Sequence, residues 1–172
     1  MIYKNEYGEV DLLSKQFLQS LKSDKGVIGA KLSGGSDTAL LLYLLAKEIQ
    51  ERNLNFSILP YTFLDKPDRN IVAQMIIDEV KSNFPKVSFE KHFYTELTIP
   101  YRDVWNESAM KLSKEYDIVF FTNAVNKSPP IEIVSNKELA RMVSSEKALR
   151  NYNTKDLEYL GIYDTPEYLS LI

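Results

Sequence analysis

The chain has 172 residues, of which 44% are hydrophobic and 26% are charged, a balance that is ordinary for a soluble globular protein with one sizeable core. It contains no cysteine, which excludes disulfides, thiolate metal sites and cysteine nucleophiles. The formal net charge of −3 gives no general electrostatic support for binding nucleic acid. The first residues lack a signal-peptide pattern, and the longest apolar run is too short to cross a bilayer. We therefore expect one cytoplasmic domain that spans residues 1–172.

Apolar periodicity predicts helices and strands that alternate along the chain. The predicted order is helix 10–22, strand 27–32, helix 37–52, strand 56–63, helix 68–84, strand 87–92, helix 100–115, strand 117–122, a short apolar run at 131–134 and helix 136–150. Pro60 would remove one ladder hydrogen bond from the second strand, which indicates an edge, a bulge or a break there. The alternation favours the α/β class, with a doubly wound, mostly parallel sheet of about five strands and helices on both faces. Residues 136–172 are expected to form a helical cap beside a core of residues 26–125.

The most informative segment is the turn at residues 33–38, with the sequence Ser-Gly-Gly-Ser-Asp-Thr, which joins the first strand to the next helix. Two glycines allow the main chain to turn tightly and bring its N–H groups close to a ligand. Hydroxyl groups add donors, and the helix directs its positive N-terminal end to the same place. In parallel α/β sheets, ligands bind at the carboxyl ends of the strands, where this turn lies. The turn is therefore predicted to hold a phosphate, and a chance glycine turn is the alternative.

Known phosphate-binding loops differ in how well they fit this turn. A Walker A loop requires a lysine where Gly35 stands, and the dinucleotide fingerprint G-x-G-x-x-G is absent here. The six residues instead resemble the S-G-G-x-D-[ST] signature of the PP-loop ATP pyrophosphatase (adenine nucleotide α-hydrolase-like) superfamily, and every fixed position matches. The resemblance covers about residues 26–125. It implies a protein that binds ATP and Mg²⁺, splits ATP into AMP and pyrophosphate, and adenylylates a small acceptor, with amide or nitrogen transfer as one outcome.

The resemblance also implies roles for the residues of the turn. The groups that would hold the phosphates are Ser33, Gly34, Gly35, Ser36 and Thr38. Asp37 would belong to both the cofactor site and the catalytic site by positioning Mg²⁺, since magnesium prefers oxygen ligands such as carboxylates. The alternative role for Asp37 is a plain helix N-cap, and the two roles are compatible.

Further candidates follow the later strands. In this superfamily adenine usually lies against the main chain at the end of the second strand, which places Thr62 and Phe63 beside the cofactor. Asp65 would meet a ribose hydroxyl of the cofactor, or would be a solvated loop acid. Lys127 would neutralise pyrophosphate as a catalytic cation, or would be a surface lysine. The residues whose roles stay open are Lys31, Arg69 and His92.

The absence of cysteine separates this chain from several members of the superfamily. The 7-cyano-7-deazaguanine synthases, the sulfonucleotide reductases and, typically, the thiolating tRNA enzymes use cysteines. The subfamily is therefore not identified, and the acceptor is an unknown small molecule. Two alternatives stand beside the enzyme: a nucleotide-binding or interaction module without catalysis, and a sulfonucleotide-binding relative. We expect no membrane partner and no nucleic acid, and a homodimer stays open.

Overall fold

The computed structural model describes residues 2–5, 8–64, 68–97 and 101–122. In it, an N-terminal hairpin precedes a regular alternation of helices and strands. The elements are β1 (Ile2–Asn5), β2 (Gly8–Asp11), α1 (Lys15–Ser20), β3 (Lys25–Lys31), α2 (Ser36–Glu51), β4 (Asn55–Leu64), α3 (Arg69–Asn83), β5 (Phe93–Glu96), α4 (Tyr101–Glu115) and β6 (Ile118–Thr122). The predicted strand at 131–134, the predicted cap at 136–172, Asp65 and Lys127 lie outside the described residues.

Strands β3 to β6 form one parallel sheet in the order β5-β4-β3-β6. The chain moves from β3 outward to β4 and β5, with α2 and α3 as crossovers. It then returns through α4 and places β6 on the other side of β3. The predicted class, a doubly wound parallel α/β sheet with helices on both faces, is confirmed, and four strands of the sheet lie within the described residues.

Side chains alternate between the two faces of the sheet, and each face has its own apolar core. Ile28 and Ile58 face α2 and α3 and pack against buried residues of both helices. Leu59 and Phe121 face α4 and pack with Leu112 of that helix. Both faces are thus covered, as a parallel sheet requires. Among the helices of the described ranges, none is long and apolar enough to span a membrane.

The predicted helix over residues 10–22 is wrong in its first part. The segment Gly8–Asp11 forms β2, which pairs with β1 in an antiparallel register. Helix α1 begins only after Ser14, whose hydroxyl accepts a hydrogen bond from the Phe17 N–H at 3.0 Å. Leu13 is fully buried between β2 and α1. Its apolar character therefore reflects burial of the connecting turn, although its spacing from Phe17 is that of a helix.

The third strand of the sheet begins later than the predicted residues 87–92. Phe89 makes an isolated bridge to Ile58, and continuous pairing with β4 starts only at Phe93. Ile58 donates its N–H to the Ser88 carbonyl, in the segment that precedes β5. Main-chain groups two residues apart in a strand point to the same side, so Pro60 faces the β5 side as well. Pro60 has no N–H to donate there. Pro60 therefore marks a break in pairing, and it does so inside a central strand of the sheet.

Candidate functional site

The turn at residues 33–38 lies at the carboxyl edge of the sheet, after β3 and at the start of α2. Gly34 has a φ of 77°, in the left-handed region that favours glycine. Gly35 is the N-cap of α2, with φ −90° and ψ 163°, and no side chain caps this helix within the described residues. The first N–H groups of an α-helix have no acceptor within the helix, so α2 directs main-chain donors and its positive dipole end to this edge. The turn thus has the donors that an anionic ligand requires.

The hydroxyl of Thr38 holds the turn together from inside. Its oxygen accepts a hydrogen bond from the Ser33 N–H at 3.1 Å, and its proton goes to the Gly35 carbonyl at 3.1 Å. The Oγ of Ser33 lies 3.2 Å from the same oxygen and must be the donor, because Thr38 has only one hydroxyl proton. Thr38 is buried, so its hydroxyl shapes the turn. A direct contact between Thr38 and a phosphate stays a prediction.

Ser36 and Asp37 form the exposed part of the turn. The Oγ of Ser36 donates to Oδ1 of Asp37 at 3.4 Å. The alternative role of Asp37 as N-cap is wrong, because Gly35 occupies that position and Asp37 lies in the first helical turn, where the dipole favours a carboxylate. Among the described residues, no group of three or more histidine, aspartate or glutamate side chains could hold a metal. A single exposed carboxylate fits a magnesium ion held mainly by the phosphates of a nucleotide.

Two cationic side chains flank the turn. Arg69, the first residue of α3, donates a hydrogen bond from Nη1 to the Ser33 carbonyl at 2.8 Å. Lys31 is the last residue of β3, and burial together with the positive charge of Arg69 lowers the pKa of Lys31 to about 8. The sequence leaves the role of Arg69 open, because its hydrogen-bond partner Ser33 lies 36 positions away. The fold brings both cations to the edge of the sheet at which the turn lies.

The end of β4 lies beside the turn, and its side chains point into the protein. Thr62 is fully buried; its hydroxyl proton goes to the Leu32 carbonyl at 2.8 Å, and its oxygen lies 2.9 Å from Nε2 of His92. Phe63 packs in the core cluster on the α4 face. A ligand at this edge would therefore meet the main chain of Thr62 and Phe63. The predicted cofactor contact of these two residues stays a prediction that concerns their main chain.

His92 is the only histidine of the chain and precedes β5. Burial, and to a smaller extent the positive charge of Lys81, lowers the pKa of His92, so its ring is neutral at physiological pH. The ring packs against Tyr94, with 5.6 Å between the ring centroids. Sequence reasoning found no partner for His92, because its hydrogen-bond partner Thr62 lies 30 positions away.

A depression of about 360 Å³ lies at the opposite, amino edge of the sheet. Its lining includes Gly26 near the start of β3 and Asn55 at the start of β4. It shares no residue with the turn or with the cations beside the turn. The candidate site is therefore the carboxyl edge, where the polar groups converge.

Comparison with known proteins adds a likeness in overall shape. No protein-family model matches the chain, and no curated protein matches it. Among solved structures, a crystal structure of a protein from the universal stress protein family from Burkholderia pseudomallei is similar, with a TM-score of 0.42 and 11% sequence identity. The match covers 73% of this chain and 92% of that protein. A likeness at this level carries no argument about function, and the fold class rests on the sheet order and the two covered faces.

Proposed function

We propose that this chain is an ATP-binding protein of the PP-loop type, with residues 33–38 as its phosphate-binding turn. One observation carries the proposal: the turn follows β3 at the carboxyl edge of the sheet, and the strand order reverses between β3 and its neighbour β6. At such a switch point of a doubly wound sheet, a crevice opens at the carboxyl edge, and ligands of these folds bind there. An anion in this crevice would meet the donors of the turn and the charges of Arg69 and Lys31.

The main chain of β4 supports a place for the base of the nucleotide. Leu32 donates its N–H to the Tyr61 carbonyl. The main-chain groups of Phe63, two residues further along β4, therefore face the same side, beyond the end of β3. Phosphates at the turn and a base beside Phe63 would lie along one edge of the sheet, as the parts of one nucleotide must.

In the enzymatic form of this proposal, an ionised acceptor oxygen attacks the α-phosphorus of ATP. The bond from that phosphorus to the bridging oxygen breaks, and pyrophosphate leaves with the electron pair. The N–H groups of the turn, Arg69 and Lys31 would stabilise the negative charge that develops on pyrophosphate. Mg²⁺, held by the phosphates and Asp37, would neutralise further charge. Lys127 is proposed as an additional cation, from the segment that follows β6.

Gly35 offers a sharp test of binding, because the fold tolerates a side chain there. Its φ and ψ are extended, and an added Cβ would lie 3.5 Å from Oγ of Ser33, an ordinary contact. Gly35→Val should lower the urea-unfolding midpoint only by the cost of a less favourable N-cap residue, while its side chain blocks a phosphate from the N–H groups. We expect titration calorimetry with ATP and Mg²⁺ to show binding to the wild type and none to G35V. Equal affinity of the two proteins would contradict the proposed site.

Turnover separates the enzyme from a binding module without catalysis. We expect the wild type, with ATP, Mg²⁺ and a suitable acceptor, to release AMP and pyrophosphate. Asp37→Asn should abolish this release and keep the fold. The binding module is favoured by the hydroxyls of Thr38 and Thr62, which are used inside the protein and not offered to a reactant. ATP binding without AMP release would establish that module, and tighter binding of adenosine 5′-phosphosulfate than of ATP would favour the sulfonucleotide-binding relative.

A further inference from the structure

A network of hydrogen bonds leads from His92 toward the candidate turn. Nε2 of His92 lies 2.9 Å from Oγ1 of Thr62, and this oxygen lies 2.8 Å from the Leu32 carbonyl. The carbonyl has no proton, so the single hydroxyl proton of Thr62 must lie on the bond to Leu32. Nε2 of His92 must therefore carry the proton of the other bond. With both contacts made as hydrogen bonds, the neutral ring is the Nε2–H tautomer, with a lone pair on Nδ1.

The same network continues through one peptide group into the turn. The Leu32 carbonyl and the Ser33 N–H belong to one planar, trans peptide, so fixing the carbonyl also fixes the opposite direction of the N–H. That N–H donates to Thr38 at 3.1 Å, and Thr38 donates to the Gly35 carbonyl at 3.1 Å. The Gly35 carbonyl in turn shares its peptide with the first N–H of α2. Every bond from the histidine to the helix start thus points in the same direction, an arrangement in which hydrogen bonds polarise one another.

We propose that His92 is a positioning residue for the candidate turn: through Thr62 and Thr38 it orients the main-chain N–H groups that would receive the phosphates of the ligand. This inference rests on the proposed function. The network joins three separate segments of the chain, since His92 precedes β5, Thr62 belongs to β4 and Thr38 belongs to α2. The local sequence of the turn therefore does not suffice to set its donor directions, and a residue outside the motif contributes to them.

The tautomer of His92 gives the first test, and it needs no ligand. Because the chain has one histidine, its imidazole ¹⁵N signals are assigned without ambiguity. We expect the full-length protein at neutral pH to show a protonated Nε2 and an unprotonated Nδ1. Thr62→Val, which keeps the shape of the side chain and removes the hydroxyl, should shift the Nε2 signal. A protonated Nδ1 in the wild type would overturn the inference.

The second test measures ligand affinity in matched pairs of variants. A glutamine at position 92 can place its amide nitrogen near the position of Nε2, whereas an asparagine places it near Nδ1. We expect His92→Asn and Thr62→Val each to weaken ATP and pyrophosphate binding about tenfold, the effect of one lost hydrogen bond. His92→Gln and Thr62→Ser should bind like the wild type. The double variant H92N/T62V should bind no more weakly than either single variant, because the network is broken only once.

A purely structural role would give a different result. H92N and T62V would then lower the urea-unfolding midpoint and leave the affinity of the folded protein unchanged, which would overturn the inference. Exchange of the Ser33 amide proton keeps the test independent of the proposed function. We expect faster exchange in H92N and T62V than in the wild type, even if the wild type binds neither ATP nor pyrophosphate. Unchanged exchange in T62V would overturn the inference whether or not a ligand binds and whether or not H92N folds.

Discussion

Two arginines of this chain each donate a hydrogen bond from Nη1 to a main-chain carbonyl of an earlier segment, yet their electrostatic surroundings differ. Arg52 donates to the Leu13 carbonyl and also to Oε2 of Glu48, at 2.9 Å. Arg69 donates to the Ser33 carbonyl at 2.8 Å and stands near Lys31, a second cation. One guanidinium thus pairs with a carboxylate of its own helix, and the other lies near a second cation.

We interpret the surroundings of Arg52 as a structural contact between two segments and those of Arg69 as part of a binding site. The ion pair of Arg52 and Glu48 ties α2 to the turn that follows the N-terminal hairpin, and Glu48 is fully buried. Tyr3 of β1 faces the same carboxylate: burial, followed by the charge of Glu48, raises the pKa of Tyr3 to about 12. At the carboxyl edge, burial and then the positive charge of Arg69 lower the pKa of Lys31, because like charges repel. An anionic ligand would reverse that repulsion.

The largest effect is expected from Arg52→Ala. This change leaves the carboxylate of Glu48 buried without its cation, which costs about 3 to 5 kcal/mol in the free energy of unfolding. Urea denaturation measures the loss. Replacing both partners, as in Glu48→Met with Arg52→Leu, should restore much of the stability, because the buried charge is removed as well. Under conditions in which Arg52→Ala is still folded, its ATP affinity should equal that of the wild type. A loss of affinity would contradict the purely structural role of Arg52.

Arg69→Ala should have the opposite profile. Hydrogen bonds to charged groups contribute about 1.5 to 3 kcal/mol, so we expect ATP and pyrophosphate to bind roughly 10- to 100-fold more weakly. The urea midpoint should fall less than in Arg52→Ala, because the hydrogen bond from Arg69 goes to a main-chain carbonyl and not to a fully buried carboxylate. Arg69→Lys keeps the charge and loses the planar donor geometry, and its affinity should lie between the two. If Arg69→Ala lost as much stability as Arg52→Ala and kept the wild-type affinity for ATP, the role of Arg69 would be structural.

Variants of the two neighbouring glycines test the main-chain conformation of the candidate turn. Gly34→Ala places a Cβ at a φ of 77°, which costs about 1 to 2 kcal/mol of backbone strain. The added Cβ would lie 3.4 Å from the nearest atom of Val72, an ordinary contact, so strain is the whole expected effect. Gly35→Ala has no such strain and serves as the control. Urea denaturation should show a larger loss for G34A than for G35A, which costs only a less favourable N-cap residue, and a smaller loss for G34A would contradict the left-handed conformation of Gly34.

The sequence predicted the features that depend on neighbouring residues. The spacing of apolar residues predicted the alternation of helices and strands, and hence the doubly wound sheet. The sequence of residues 33–38 predicted a turn at the carboxyl edge of that sheet. The leading helix failed for a local reason. Leu13 and Phe17 have helical spacing, but the first of them fills a connecting turn, and β2 is too short to show a convincing period of two.

Contacts between residues that are far apart along the chain could not be predicted from the sequence. Arg69 reaches Ser33 across 36 positions and His92 reaches Thr62 across 30, and nothing in the sequence around either residue indicates its partner. The acceptors of hydroxyl protons could not be predicted from the sequence either. Thr38 matches the motif and was expected to hold a phosphate, but only the folded turn shows that its single proton is donated to the Gly35 carbonyl.

A further effect concerns the protonation of Lys31. Its pKa of about 8 in the folded protein lies below the ordinary value of 10.5, so between these values the unfolded state binds more protons than the folded state. The contribution of Lys31 to stability therefore rises with pH across this window, and the burial of its charge opposes folding below it. Urea titrations at several pH values should show this rise in the wild type and a smaller one in Lys31→Met.

Ligand binding should shift the same equilibrium in the opposite direction. An anion beside Lys31 favours the charged lysine and raises its pKa, so ATP binding near about pH 8.5, where the phosphates are fully ionised, should take up protons. Calorimetry in two buffers of different ionisation enthalpy measures this uptake, which Lys31→Met should abolish. Arg69→Gln should reduce the uptake, because Lys31 then begins with a higher pKa and more of it is already charged. Proton release on binding to the wild type would place the anion away from both cations and remove the contrast with Arg52.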